Sequence, residues 1–503
     1  MIKTAIVSVP RLEPHRPPPG PAIIANVCKK IGHQVDAYDL NIKFLNRCKE
    51  IGLDYYSFDA VWDEFSKLEG EQKIVLDKFV AHWAKIIAEK NYDYILISVF
   101  GSACTVFNNL FVKQLQLVKG SAVIVAGGNA VHSTSLVDKD YCYGQKLQDQ
   151  GLVDHYITGE GERAVVDFFA GLQGPGINNN HPAQIDDIDN IPLPNYEFFN
   201  LDEYEYLYPG EREVYITGSR GCVRKCTYCD VERYWPKFRY RSGQSIADEI
   251  IENYERFGIT RFYFTDSLVN GSLKAFSAQC EALTKYRFDR PIHWSGQFIF
   301  RDRRSLPRDH YEMISQAGGD MFYVGIETGS DRVRAEMGKK FTNDDIEYQL
   351  EECSRFGIKI MPLMFTGYIT ETLQDHYDNL AIFPRWQRFV ADGTINGVEL
   401  GSSLVILSGA PIERMIDTHG IEFVFENGEA NTKLWWSAAN PDLTITERIR
   451  RKIEVHETAI KYCWPVWRQQ SRLNDLKQMI LQHNLHKEPS QKFFKISQFT
   501  RNT

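Results

Sequence analysis

Three cysteines crowd into one short loop, and no other feature of the 503-residue sequence restricts its fold and chemistry as much. The stretch Gly218-Ser-Arg-Gly-Cys-Val-Arg-Lys-Cys-Thr-Tyr-Cys-Asp230 carries Cys222, Cys226 and Cys229 at C-x₃-C-x₂-C spacing. Ahead of it, Val214-Tyr-Ile-Thr217 has the β-branched and aromatic composition of a strand, which Gly218 and Gly221 break into a loop. A loop this dense in thiolates suits a soft metal or an iron–sulfur cluster. A closed zinc site takes four ligands in paired spacing, and no second Cys/His pair at such spacing follows. Three thiolates on a four-iron cube leave one iron without a protein ligand, open to a substrate or cofactor. Arg220, Arg224 and Lys225 flank the loop and would offset the negative charge of thiolates and cluster.

An aromatic residue, Tyr228, stands just before the last cysteine. With it, the spacing resembles the signature of the radical S-adenosylmethionine (SAM) enzymes. The resemblance implies a [4Fe–4S] cluster on Cys222, Cys226 and Cys229, with SAM chelating the open iron through its amino and carboxylate groups. It implies reductive cleavage of SAM to a 5′-deoxyadenosyl radical. An external electron donor of the flavodoxin or ferredoxin type comes with that chemistry.

A chain of this length exceeds one core, and about two or three domains are expected. Hydrophobic content of 43% and charged content of 25% describe an ordinary globular protein. A net charge of −8 argues against nucleic acid as a bulk electrostatic partner. The start, Met-Ile-Lys-Thr-Ala-Ile-Val-Ser-Val-Pro, is too briefly apolar for a signal segment, and no later run reaches membrane-span length. The ten cysteines are scattered apart from the trio, which fits a reducing cytoplasm rather than a disulfide framework.

From the N-terminus, strand signals at 4–9, 34–38, 94–99, 122–125 and 156–157 alternate with helical ones, such as 22–31 before Gly32. That alternation predicts a doubly wound, Rossmann-like parallel sheet over 1–172, with a helical insertion over about 45–90. Ligands of such sheets sit beyond the carboxyl ends of the strands, where Ser98-Val-Phe-Gly-Ser102, Ala126-Gly-Gly-Asn129 and Thr158-Gly-Glu-Gly-Glu162 fall. This layout resembles the cobalamin-binding domain that precedes the barrel in one large radical SAM class. Ser98-x-Phe100 stands where that domain often has Ser-x-Leu, and Gly127-Gly128 where it has Gly-Gly. The resemblance implies bound cobalamin, with Ser98, Gly127 and Gly128 at its site. The Asp-x-His-x-x-Gly element that ligates cobalt elsewhere is absent, since His15 lacks its flanking pattern. Members of the class commonly lack that histidine too. The bland alternative is a degenerate Rossmann-like domain whose glycines only make turns.

Residues 173–212 are rich in Pro, Gly and Asp without periodicity and read as a linker. Over 213–405 the strand–helix beat recurs about six times, which predicts a partial (β/α)₆ TIM-like barrel with chemistry at the carboxyl ends of its strands. Strand candidates after the first are 260–265, 292–297, 321–326, 358–366 and 397–401. Ser245-Ile-Ala-Asp248 and Thr342-Asn-Asp-Asp345 read as capping boxes opening helices that Gly258 and Gly357 end. The resemblance to the radical SAM barrel covers this whole segment. Gly325-Ile-Glu-Thr-Gly-Ser330 resembles the family's Gly-Ile-Glu-Ser-Gly-Ser, and Thr265-Asp266 closes the second strand. Phe365-Thr-Gly-Tyr-Ile-Thr-Glu-Thr372 parallels Phe-x-x-Gly-x-Pro-Gly-Glu-Thr, with Tyr-Ile-Thr in place of x-Pro-Gly.

The resemblance implies SAM contacts at Tyr228, Asp266, Gly325 and Glu327. Glu327 has a structural alternative, an ion pair with Arg332 or Arg334, and Asp266 has helix capping. Trp294, Gln297 and Arg301 are candidates to face the cavity, with core packing the alternative for Trp294, while His293 reads as structural. Residues 406–503 read as an α-helical tail. In it Trp435 and Trp436 either lid the cavity or pack the tail, and Glu447–Arg451 reads as a solvated helix face.

The expectation is therefore a cobalamin-dependent radical SAM enzyme, a methyltransferase acting on an unactivated carbon of a small molecule or peptide. Two alternatives remain open. One is a radical SAM cyclase or rearrangement enzyme that uses the first domain for substrate binding. The other is a non-enzymatic iron–sulfur protein, against which the motifs beyond the cysteines speak.

Overall fold

The structure, a computed structural model, describes residues 1–10, 12–55, 58, 70–132, 135–426, 428–466, 473–474, 476–477 and 494–496. The chain forms two compact units. The first comprises residues 1–134, 140–216 and 252–261, and the second 135–139, 217–251 and 262–503.

The first unit holds β1 (Lys3–Ser8), α1 (Pro19–Lys30), β2 (Gln34–Asp39), α2 (Leu40–Glu50), α3 (Gly70–Glu89) and β3 (Tyr94–Ser98). There follow α4 (Thr105–Val118), β4 (Val123–Gly127), α5 (Tyr143–Asp149), β5 (His155–Tyr156) and α6 (Gly161–Phe169). The strands form one sheet in the order β2-β1-β3-β4-β5, and every pairing is parallel. This is the doubly wound arrangement the alternation predicts, with its switch point between β1 and β3. Buried runs such as Ala5-Ile-Val7, Ile95-Leu-Ile97 and Ile124-Val-Ala126 fit a parallel sheet covered on both faces. In the expected insertion, α2 and α3 are helical, while residues 56–57 and 59–69 lie outside the described residues.

Residues 173–212 are not a free linker. The N–H groups of Thr158 and Glu160 donate to the carbonyls of Gly176 and Ala183 at 2.9 and 2.8 Å, and Ile177, Ile188, Tyr196 and Leu201 are buried. Proline and glycine make this backbone irregular, but the apolar residues spaced through it anchor it within the first unit.

Next come β6 (Glu213–Ile216), β7 (Ser219–Arg220), α7 (Val231–Tyr234), β8 (Arg239–Tyr240), α8 (Gly243–Phe257), β9 (Arg261–Phe264) and α9 (Leu273–Lys285). After them lie β10 (His293–Phe298), α10 (His310–Gln316), β11 (Gly319–Glu327), α11 (Asp331–Glu336) and α12 (Asn343–Arg355). The series ends with β12 (Lys359–Thr366), α13 (Leu373–Arg385), α14 (Gln387–Ala391) and β13 (Glu399–Ser403). Six strands form the barrel sheet in the order β13-β12-β11-β10-β9-β6. Its β10–β11, β11–β12 and β12–β13 pairings are parallel.

Burial alternates along these strands. Trp294, Phe298, Phe322, Val324, Ile360 and Met364 are buried, while Ser295, Gln297, Tyr323, Leu363 and Phe365 between them are partly open. A closed parallel barrel would bury both faces, so the alternation marks an open lumen. Trp294 lies on the core side. It packs edge-on to Phe264, Phe276 and Phe322 and donates Nε1–H to the Ala317 carbonyl at 2.8 Å, so it does not face the cavity. The capping box of α12 forms as the sequence predicts. Helix α8 begins earlier than expected, at Gly243, because the Ser242 hydroxyl caps it by accepting the Ser245 N–H at 3.2 Å.

The C-terminal region is not all helix. It opens with an antiparallel hairpin, β14 (Ile421–Glu426) and β15 (Glu429–Ser437), before α15 (Ile445–Lys461). Ile421 and Phe423 face the core with Trp435, so a period-two apolar pattern overrides the polar-aromatic composition. Most of the expected tail beyond residue 466 lies outside the described residues.

Candidate active site

The cysteine loop grows from the end of β6 and is gripped at its neck. Arg241, buried and paired with buried Glu249, donates to the Thr217 carbonyl at 3.0 Å. Asp266, just past β9, accepts the Gly218 N–H at 2.8 Å and the Ser219 hydroxyl at 2.5 Å. Both its oxygens thereby hold the loop, and the N-cap of α9 is Ser272 rather than Asp266. Burial pushes its carboxyl up to about 7, against the pull of those two hydrogen bonds. The ribbon of β7 and β8 then closes the neck, pairing Ser219 with Tyr240 and Arg220 with Arg239. Gly221 sits at φ +86°, and a Cβ there would meet the Lys237 carbonyl oxygen at 2.7 Å, so only glycine makes this turn.

Beyond the neck, Cys226 is buried and Cys222 and Cys229 are half-buried. The far side of the loop is tied down by Thr227, whose N–H donates to Met337 O at 3.1 Å and whose carbonyl accepts from Ile412 N–H at 2.6 Å. Burial raises all three thiols, Cys229 to about 12, and Cys226 raises Cys222 and Cys229 further. Lys339 and Arg224 act in the opposite sense on Cys222 and Cys226. Lys225 pairs instead with Glu232 at 2.7 Å in an exposed position. Arg301 donates to the carbonyls of Asn270 and Gly271 at 2.7 and 3.1 Å, within electrostatic reach of Arg224 and Cys222. Among the described residues, no three His, Cys, Asp or Glu side chains converge to hold a single metal ion. A cluster meets each thiolate through a different iron, so mutually interacting thiols flanked by buried cations fit a cluster.

Beside the cysteines, β11 ends on an irregularity. Its register shifts between Gly325 and Glu327, and Glu327 has φ +64°, a left-handed backbone rare outside glycine. The buried carboxylate oxygen Oε1 accepts from the Tyr228 hydroxyl at 2.6 Å and from Lys339 Nζ at 2.7 Å. The arginines considered as partners are engaged elsewhere, Arg332 with Asp375 and Glu336, Arg334 with Asp331 and the Thr328 carbonyl. Lys339 lies well past the Gly-Ile-Glu motif and carries no motif of its own, so sequence reasoning missed it. Tyr228 and Glu327 line a cavity of about 290 Å³ together with Leu363, Phe365, Glu399 and Leu404. A larger hollow of about 610 Å³ opens at the amino ends of β10 and β11, around His293 and Asp320, which stand 3.3 Å apart. Barrel chemistry belongs at carboxyl ends, so the smaller cavity is the candidate site.

Cobalamin has its own candidate residues in the first unit. Ser98 ends β3 directly opposite Ser8 of β1, at the switch point. Ser8 is buried with no partner for its hydroxyl. Its strand end carries no motif, and the sequence did not single it out. Phe100 is 58% exposed. A Cβ on Gly127 would come no closer than 3.9 Å to the chain, whereas one on Gly128, at φ +103°, would meet the Val99 carbonyl oxygen at 2.5 Å. Gly128 is thus required by its own fold, while Gly127 leaves open space. An orphaned hydroxyl, an open glycine and an exposed aromatic at a switch point fit a bulky ligand. His15 is held by the Glu205 carbonyl, 2.6 Å from Nδ1.

The loop after β12 is set by the run read as a solvated face. Glu371 accepts the Gly367 N–H at 2.7 Å and pairs with Arg451 at 2.9 Å. Arg448 lies 3.8 Å over the Trp435 ring and is buried, as is Arg451. Burial lowers Arg448 to about 9. Trp435 packs, donating Nε1–H to Leu404 O at 3.0 Å, and Trp436 donates to Pro441 O at 3.3 Å.

With this geometry in hand, residues 216–380 match the model of the radical SAM superfamily. The anaerobic magnesium-protoporphyrin IX monomethyl ester cyclase of a Synechocystis strain is 26% identical over 43% of this chain and 44% of its own length. The cytidylyl-2-hydroxyethylphosphonate methyltransferase of Streptomyces wedmorensis is 25% identical over 41% of each chain. The chain thus spans less than half the length of these curated relatives. Among solved structures, the cobalamin-dependent SAM radical enzyme OxsB with aqua-cobalamin bound superposes with a TM-score of 0.64 at 15% identity. That match covers 96% of this chain and 71% of OxsB. The radical SAM methyltransferase TsrM from Kitasatospora setae, with tryptophan and aza-SAM bound, gives 0.62 at 13% identity over 96% of this chain and 100% of TsrM. These likenesses show the fold of both sheets, and residues 216–380 carry the likeness to the radical SAM superfamily.

Proposed function

We propose that the chain is a cobalamin-dependent radical SAM enzyme that methylates an unactivated carbon of a small-molecule or peptide substrate. The observation that carries the reading is the adjacency of the cysteine loop and the Glu327 cavity, linked by the Tyr228–Glu327 hydrogen bond of 2.6 Å. Held by the cysteine loop, a [4Fe–4S] cluster would supply the electron that cleaves SAM, and cobalamin on the first unit would supply a methyl group that a carbon radical can accept. Cys222, Cys226 and Cys229 hold the cluster, and Arg224 and Lys339 balance its charge. Glu327 spends Oε1 on its protein donors, which leaves Oε2 to accept from the SAM amino group or ribose hydroxyls. Leu363, Phe365 and Leu404 give the cavity an apolar wall that keeps water from the reacting carbon. Ser8, Ser98 and Gly127 edge the corrinoid site of the first unit. The names of the Streptomyces and Kitasatospora proteins support methyl transfer.

The test needs no substrate. Reconstituted protein given SAM and a reductant should form 5′-deoxyadenosine, and with added cobalamin it should also form S-adenosylhomocysteine. Methyl-deuterated SAM should later label the product once a substrate is supplied. The Synechocystis relative's name favours a second reading, cyclisation. Formation of 5′-deoxyadenosine with no S-adenosylhomocysteine, whether or not cobalamin is present, would decide for that reading.

A further inference from the structure

Gly325 has an ordinary backbone conformation, yet a side chain there would displace its neighbours. A Cβ there would lie 2.2 Å from Glu327 Oε1 and 2.9 Å from Lys339 Nζ. The glycine is needed for the space above it, where the Glu327 carboxylate and the Lys339 ammonium fold back over the strand. Lys339 Nζ donates to Glu327 Oε1 and to the Gly325 carbonyl, both at 2.7 Å, and lies 5.9 Å over the Tyr228 ring. Both side chains of the pair are only 11% exposed. Leaving either charge alone at that depth would be costly, so the two hold each other in place. The segment that carries Lys339 also packs on the cysteine loop. Met337 O accepts the Thr227 N–H at 3.1 Å, and a Cβ on Gly338 would lie 3.2 Å from the Lys225 carbonyl oxygen and 3.8 Å from Cys226 Cα. This puts the ammonium among the cations acting on Cys222 and Cys226. One ammonium therefore touches the carboxylate that faces the cavity and sits in the field of the thiols.

We propose that Lys339 is a positioning residue that couples SAM binding to the charge of the cluster, by aiming Glu327 into the cavity and supplying positive potential to the thiolates. This rests on the reading of the cavity as the SAM site. An electron added to a cluster beside a fixed ammonium is stabilised, so Lys339 raises the reduction potential of the cluster. By the same contact it holds Glu327 in the strained left-handed conformation from which Oε2 reaches SAM.

The test compares wild type with Lys339→Met, Lys339→Arg and Gly325→Ala in reconstituted full-length protein. The readouts are iron content, SAM affinity from the SAM-induced change in the reduced-cluster spectrum, and the cluster midpoint potential. In Lys339→Met the SAM affinity should fall at least about tenfold, the loss of one charge-assisted hydrogen bond. Its potential should move negative, and Lys339→Arg should restore the potential. Gly325→Ala, which prises the pair apart with the lysine still present, should weaken SAM binding likewise. An unshifted potential together with a SAM affinity within about twofold of wild type in Lys339→Met overturns the proposal. If Lys339→Met does not load iron, Gly325→Ala decides, and wild-type SAM affinity in that variant overturns it. A wild-type spectrum that SAM does not perturb overturns the reading of the site instead.

Discussion

Asp266 is held by two opposed effects, burial that disfavours its charge and hydrogen bonds from Gly218 and Ser219 that favour it. Burial prevails, raising the carboxyl from 3.8 to about 7. A folded-state value above the unfolded one means that the folded chain binds the proton more tightly. Its stabilisation is complete below about pH 4 and is lost as pH rises through about 7. Asp266→Asn cannot ionise, so its melting temperature should gain on wild type between pH 5 and 8, as thermal melts at stepped pH would show. Equal pH slopes for the two proteins would refute this. The cysteines make a sharper case. Replacing Cys222, Cys226 or Cys229 by Ala should abolish loading of about four irons per chain and reductive SAM cleavage. Cys280→Ser and Cys353→Ser, at fully buried positions distant in sequence from the loop, should still load iron. Chemical iron analysis separates the two groups.

Elements differ in what their glycines and charges do. At the end of β4, Gly128→Ala should destabilise the first unit by about 1–3 kcal/mol, since it meets both a left-handed φ and the Val99 carbonyl. Gly127→Ala should melt near wild type, because its Cβ has room. Larger side chains at Gly127 should weaken corrinoid binding at little cost in stability. Denaturant midpoints beside corrinoid titrations test the contrast. Helix α15 braces the loop after β12 through the buried Arg451–Glu371 pair. Arg451→Ala should cost about 3–5 kcal/mol by stranding Glu371 and should loosen the Gly367–Thr372 turn. Periodicity made the strands and the α12 cap legible, because each depends on neighbours in sequence. It misread 421–437, where a hairpin forms, and 447–451, where Arg451 is buried against a loop 80 residues away and Arg448 against Trp435. Charge in a helix looks solvated until its partner is known.

For the whole molecule, there are two main sheets, one leading into the thiolate loop and the other ending in an open switch point. The first unit should bind about one corrinoid per chain. Its spectrum should be that of cobalamin with no protein histidine on cobalt, since the chain lacks the Asp-x-His element and His15 is taken up by the Glu205 carbonyl. His15→Ala should leave that spectrum unchanged. A histidine-ligated spectrum that the substitution abolishes would refute the assignment. No helix among the described residues is long and apolar enough to cross a membrane.

The sequence by itself determined the two α/β sheets and the thiolate loop, because strand periodicity, glycine stops and cysteine spacing are local and survive without knowledge of neighbours. It also marked Glu327 and Gly325, though not why they stand together. Only the tertiary structure decided that Lys339 partners Glu327, that Asp266 ties the neck of the loop, and that Ser8 lies against Ser98. It likewise bound residues 173–212 into the first unit. Each of these depends on which distant segment supplies the partner for a buried polar group, and that choice is made by packing and desolvation across the fold.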